Sequence, residues 1–205
     1  MATNVLAPTG LVFSRMKIGA APSAQVQAYK IRKGYNSSAI GMNDLVKTGS
    51  GANQGYIVPS VFNDTSGIGV FAGVAPYFDA TFQSVQHGLI GSWPTTANPT
   101  ADVDCWVIAD PFAVFRIQAS GGPWSTSYRG LNCNWLTGTN AAPNPVGIST
   151  LTLDLTTTGT SNTLPFRIEG VVGVSGGPQD PANTNPVLEV SLNPAWIESL
   201  QGTGI

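Results

Sequence analysis

Charge is what this sequence has least of. Only 10% of its 205 residues are Asp, Glu, Lys or Arg, against about a quarter in ordinary soluble domains. A surface so poor in charge is ill suited to standing alone in water and points to cover by partners or by copies of the same chain. Cysteine and histidine are nearly absent as well. Cys105, Cys133 and His87 are too few and too scattered for a structural zinc site. Cys105 falls on the inward face of a strand and reads as a small buried hydrophobe, so free thiols are expected. No apolar run reaches the ~18 residues of a membrane-spanning helix. The opening residues, MATNVLAPTGLVFSRMK, lack the basic region, apolar run and cleavage site of a secretory leader. No amphipathic helix longer than about two turns and no fixed-period repeat is found.

Catalytic signatures are missing too. Gly173-Val174-Ser175-Gly176-Gly177 matches G-x-S-x-G literally, yet the following Pro178-Gln179-Asp180-Pro181 cannot start the helix that exposes the serine in that motif. The segment reads as a loop, and His87, before Gly88, as a turn residue. Gly67 to Gly73 has the wrong last spacing for a dinucleotide fingerprint. Asp102, Asp104 and Asp110 are able to hold a hard cation, but an acidic solvent face or partner contact is the favoured reading. No carboxylate pair of glycosidase type is visible. The expectation is a non-enzymatic chain with no cofactor and no metal; a hydrolase using Ser175 is a remote third.

What is present is strand and turn. Gly (24) and Pro (15) are frequent beside 42% hydrophobic residues, too apolar a mixture for disorder and suited to short strands with tight turns. The clearest stretch is residues 102–119, DVDCWVIADPFAVFRIQA. Val103, Cys105, Val107 and Ala109 alternate with Asp104, Trp106 and Ile108, then Phe115, Ile117 and Ala119 with Val114, Arg116 and Gln118. Asp110-Pro111 breaks the run, because proline donates nothing to a ladder. Two strands meeting at a corner suit a barrel or sandwich. Glycine-punctuated strands are expected around Tyr29–Ile31, Leu45-Val46, 56–58 and 68–74, and three cleaner ones at Leu151/Leu153/Leu155, Phe166/Ile168 and Leu188/Val190/Leu192. Residues 76–101 and 120–147 read as irregular surface connections.

The expected organisation is all-β: an extended N-terminal arm over 1–24, a small β-barrel over 25–100, and an antiparallel sandwich- or barrel-like part over 101–205, or one continuous domain joining the last two. Charge is asymmetric. Residues 1–47 carry six basic residues against Asp44 alone, a net +5, whereas 48–205 carry three arginines against ten acids, a net −7. A basic leader on an acidic body can steer docking onto an acidic surface or onto a neighbouring copy. With pI ≈ 5.1, nucleic acid is not an expected partner; nor is a membrane. Of the tryptophans 93, 106, 124, 135 and 196, most are expected to plug the core. Exposed ones would stack on sugars or anchor a protein interface.

Four segments carry a family resemblance. Gly69 to Gly73 (GVFAG), Asp110 to Gln118 (DPFAVFRIQ), Leu164 to Ile168 (LPFRI) and Val187 to Asn193 (VLEVSLN) resemble, in order and spacing, capsid-associated virion proteins of tailed bacteriophages. The leading part is similar to the small barrels of head decoration proteins, whose G-D-x-V turn reads here Asn43-Asp44-Leu45-Val46, with asparagine for glycine. The likeness covers about residues 34–195. It implies a decoration, or cement, protein assembled in the bacterial host cytoplasm and seated on the outer capsid surface of the virion. Its partners would be the major capsid protein and itself, as a homodimer or homotrimer. The residues expected to meet those partners are Leu11, Val12, Phe13, Arg15, Met16 and Lys17 of the arm, with Trp93 and Trp124. The alternative is a carbohydrate- or receptor-binding module of a phage fibre.

Overall fold

The alternation along residues 102–119 sets up the architecture. Val103–Ile108 is a strand with Val103, Cys105 and Val107 buried and Asp104 and Trp106 outward. Ala113–Ser120 follows, with Phe115, Ile117 and Ala119 buried. Asp110 makes the corner between them. Its carboxylate accepts the N–H of Phe112 at 2.9 Å and of Gln25 at 3.2 Å, and its carbonyl accepts the N–H of Ala113 at 3.1 Å. The corner hands the chain from one sheet to another.

A computed structural model describes residues 7–17, 24–86, 91–140, 143–173 and 180–198. The chain is all-β, as expected. Its strands are β1 (Val12–Met16), β2 (Val26–Ile31), β3 (Leu45–Thr48), β4 (Ile57–Pro59), β5 (Gly69–Val74), β6 (Tyr77–Asp79), β7 (Ser84–Gln86), β8 (Val103–Ile108), β9 (Ala113–Ser120), β10 (Asn132–Trp135), β11 (Leu153–Gly159), β12 (Phe166–Val172) and β13 (Val187–Leu192).

The leading sheet runs β2-β8-β5-β3-β4 and curls until β4 lies against β2. Pro59 sits in edge strand β4, where a missing N–H costs least. Ile31, Val46, Ile57, Phe71 and Val107 pack inside it with Trp93. The second sheet runs β1-β9-β11-β10-β12-β13, and β13 returns to pair with β9. The strands β9-β11-β10-β12-β13 therefore form a closed five-stranded barrel, filled by Phe115, Ile117, Trp135, Leu153, Phe166, Ile168, Leu188 and Val190. One of its pairings, β9 with β11, is parallel. Cys105 and Cys133 are free, as expected, and both are buried, Cys105 on the inward face of its strand.

β8, which the expected boundary after residue 100 put in the second part, is hydrogen-bonded between β2 and β5 in the leading sheet, and the chain crosses to the second sheet at the Asp110 corner. Residues 7–17 of the expected extended arm lie along the chain's own body. β1 pairs antiparallel with β9, from Val12↔Arg116 to Met16↔Ala113, and Leu11 is completely buried in the barrel cluster. Residues 1–6 and 18–23 of the expected arm lie outside the described residues.

The two sheets are joined by packing and by a buried polar turn. Leu45 of β3 and Val70 of β5 belong to the barrel's cluster along with Trp196 and Ile197. The Trp196 ring lies so close over Gly67 that a Cβ there would stand 1.9 Å from the ring. Asp44, fully buried, accepts the Gly41 N–H on Oδ2 at 2.6 Å and the Ser149 hydroxyl on Oδ1. Next to it, the Asn140 side chain accepts the Leu45 N–H at 2.9 Å and donates to the Leu45 and Ser60 carbonyls at 3.0 and 2.6 Å.

These contacts set three expected outcomes. Leu11→Ala should lower stability by about 2–5 kcal/mol, while Val12→Ser, at an exposed position, should stay within about 0.5 kcal/mol of the parent. Asp44→Ala should cost about 1–3 kcal/mol for each of the two donors it strands. Urea midpoints at fixed slope check all three.

Candidate functional site

The residues expected to meet partners do not form one surface. Trp93 is fully buried: its indole N–H donates to the Tyr35 carbonyl at 2.9 Å and its ring packs on Tyr77 at 5.3 Å. Leu11 is core. Phe13 and Met16 are half-buried against the barrel cluster, with Phe13 edge-on to Phe115 at 6.3 Å. These four serve the chain's own fold, because each lies on the inward side of its segment. Val12 is exposed. Arg15 and Lys17 are paired within the chain, to Glu189 at 2.9 Å and Glu169 at 2.6 Å. Lys30 and Lys47 likewise pair with Asp104 and Asp64. Much of the basic leader's charge is thus met by the chain's own acidic body.

The structure does bring Arg15 and Trp124 to one place. They line a cleft of about 350 Å³ with Thr126, Arg129, Glu169 and Glu189. Two irregularities in the ladders build it. β12 carries one extra residue between Ile168 and Gly170, against Val190 and Glu189 of β13. A bulge of this kind re-aims the extra side chain, here Glu169, which meets Lys17 and accepts the Ser191 hydroxyl at 2.7 Å. β1 shifts register between Phe13 and Arg15, and both Ser14 and Arg15 reach Glu189, at 3.2 and 2.9 Å. The loop after β9 supplies the remaining wall. Trp124 is half-buried, held by its N–H to the Pro181 carbonyl at 2.9 Å and edge-on to Tyr128 at 6.1 Å. Arg129 Nε donates to the Glu169 carbonyl at 3.0 Å.

The electrostatics of this cleft are balanced. Burial alone would raise the Glu169 carboxyl, but hydrogen bonds and charge from Lys17, together with the Ser191 hydroxyl, outweigh it and hold the group below its usual value. The Arg15 guanidinium is raised by its bond to Glu189. Both acids were silent in the sequence because each sits among the polar residues of an alternating strand, with Arg167 in β12 and Ser191 in β13.

A second surface lies on the β6–β7 hairpin, inside the stretch read as an irregular connection. Phe78 and Val85 face each other across the hairpin and Phe82 stands at its turn, and all three are exposed, at 44, 56 and 59%. The hairpin is fixed from beneath by Asp79. Its buried carboxylate accepts the N–H of Asn98 at 2.8 Å, Thr81 at 2.8 Å and Phe82 at 3.2 Å. Those donors, Asn98 foremost, hold the carboxyl below the ordinary range. The alternation of inward Tyr77 and Asp79 with outward Phe78 was the available signal.

Other singled-out positions are otherwise engaged. Asp102 accepts the Lys33 N–H at 2.9 Å and the Tyr56 hydroxyl at 2.8 Å. Among the described residues no group of three or more His, Cys, Asp or Glu is placed to hold a metal ion. His87 and Ser175 lie outside the described residues. Burial pushes the Cys105 thiol up to about 12 and raises that of Cys133 further, so neither is a ready nucleophile. No protein family, no curated protein and no solved structure matches this chain.

The Glu169 pairing has a pH signature. A carboxyl held below its ordinary value stabilises the fold above the unfolded value and loses that contribution as pH falls through the folded one. Glu169→Gln should therefore be less stable than the parent at about pH 6, with the gap closing below about pH 4. Urea midpoints measured across that range test it; a gap independent of pH would contradict the pairing.

Proposed function

We propose that this chain is a non-enzymatic capsid decoration protein of a tailed bacteriophage, bound to the outer surface of the head and clamping neighbouring major capsid subunits. The observation that carries the reading is the placement of the segments on which the resemblance rests. Asp110 to Gln118 ends in β9, Leu164 to Ile168 enters β12 and Val187 to Asn193 spans β13. These strands are consecutive neighbours in the closed barrel, with β13 bonded to both of the others. Gly69 to Gly73 lies in β5, between β8 and β3 of the leading sheet. The turn at Asn43 supports it further. This residue adopts φ of 72°, a left-handed conformation that glycine and asparagine tolerate best, so asparagine serves at the glycine position of the G-D-x-V turn.

The apolar hairpin is the surface this function would use. Three uncharged side chains on a base pinned by Asp79 offer a rigid contact that loses little entropy on docking. Weak contacts repeated over a lattice become durable through effective concentration, and a homodimer or homotrimer would add to that. Assembly onto heads in the bacterial cytoplasm requires no secretory route. Because Leu11 and β1 are part of the fold, deleting residues 1–24 would damage the barrel itself, so the test belongs on the hairpin.

Purified protein mixed with heads lacking it should co-sediment at hundreds of copies per particle. Phe78→Ser with Phe82→Ser should reduce occupancy at least tenfold while leaving the melting temperature near the parent's. Failure of the parent to co-sediment overturns the decoration reading; full occupancy by the double variant overturns the hairpin's part in it.

A further inference from the structure

We propose that the cleft beside Trp124 is a carbohydrate subsite that takes one neutral hexopyranose unit. A pyranose offers an apolar face of C–H groups and a rim of hydroxyls, each both donor and acceptor. A site for it needs a fixed aromatic wall with polar groups converging at its edge. The cleft has both. The Trp124 ring packs on the barrel cluster and stands edge-on to Tyr128, and its backbone N–H is bonded to the Pro181 carbonyl, so the wall is in place before any ligand arrives. Around it stand the carboxylates of Glu169 and Glu189, the guanidinium groups of Arg15 and Arg129 and the Thr126 hydroxyl. A carboxylate has about four acceptor sites. Lys17 and Ser191 both meet Oε1 of Glu169, which leaves Oε2 for a sugar hydroxyl.

Charge selects the class of ligand. Arg15 is paired with Glu189 and Lys17 with Glu169, so a charged group set against either pair would have to break it to gain one, and Arg129, bonded through Nε to the Glu169 carbonyl, keeps its remaining N–H groups as donors for hydroxyls. A neutral polyol gains hydrogen bonds without that loss. Size agrees: about 350 Å³ lies at the low end of the ~300–1,000 Å³ of small-molecule sites, enough for one sugar ring of a longer chain. The other accessible tryptophan, Trp106, is 40% exposed but stands on a strand between Ala28 and Gly73, and the cleft does not include it. It serves as an internal control.

The proposal is independent of capsid attachment and is tested on the free full-length chain. Methyl glycosides of glucose, galactose, mannose and N-acetylglucosamine are titrated separately, following indole N–H resonances by NMR. At least one should shift the Trp124 resonance saturably, with a dissociation constant in the millimolar range. Trp124→Ala should weaken that binding at least tenfold and Trp106→Ala should leave it unchanged. Should Trp124→Ala fail to fold, Arg129→Ala, altering an exposed side chain, should weaken the same sugar severalfold. Absence of saturable binding by all four sugars, or equal affinity in the Trp124 or Arg129 variant, overturns the assignment.

Discussion

The buried carboxylate of Asp44 is the constraint on which the rest of the molecule hangs. A carboxylate out of water is tolerated only when its oxygens are hydrogen-bonded. One is met by the Gly41 N–H in its own turn, the other by a serine 105 residues further on. The turn that launches β3 is therefore complete only when the segment preceding β11 has docked. Ser149 extends the link, because its hydroxyl also accepts the Leu151 N–H at 3.0 Å and its own N–H donates to Met42 at 2.9 Å. The N-terminal segment is tied to the same turn, through Leu11 N–H to the Asn43 carbonyl at 3.1 Å and Asn43 Nδ2 to the Thr9 carbonyl at 3.0 Å. Three parts of the chain thus meet at the 41–44 turn, and their polar groups are satisfied together.

That convergence explains why the sheets are not independent halves. The Asp110 corner passes the chain from the leading sheet to the barrel, and the Trp196 ring returns against Gly67 to close the far side. Gly67 and Trp196 are also joined through the backbone, Gly67 N–H to the Trp196 carbonyl at 3.0 Å. Apolar residues of β3 and β5 point both ways, Val46 and Phe71 into the leading cluster, Leu45 and Val70 into the barrel. Period-two alternation on two adjacent strands is what lets one layer serve two cores.

The surfaces left over from this packing differ in kind. Ion pairs between the basic leader and the acidic strands line the face that holds the Trp124 cleft, and solvent-accessible pairs such as Lys30 with Asp104 contribute little to stability, about 0–1 kcal/mol each. Their effect is to fix polar groups in place. On the β6–β7 hairpin the opposite choice is made: a fully hydrogen-bonded aspartate lies below and bare aromatic rings face the solvent. One face presents paired charges and hydroxyl-bonding groups, the other apolar side chains.

Residue alternation by itself determined the all-β class, the inward faces of β8, β9 and β11 to β13, the corner at Asp110 and the burial of Cys105, since each depends on neighbours within a few residues; it did not determine β6, β7 and β10, which lie in stretches read as irregular connections. It did not determine which strands close the barrel. β9 and β13 are some 70 residues apart, and nothing local in either names its partner. The same holds for β1, expected within an extended arm, whose partner lies a hundred residues away. Tryptophan is equally at home in a core and at an interface, so the sequence could not separate Trp93, which is enclosed, from Trp124, which borders a cleft. Glu169 and Glu189 became a site only because a bulge and a register shift brought them to Arg15 and Lys17. Such juxtapositions are set by long-range pairing, and only the tertiary structure decides them.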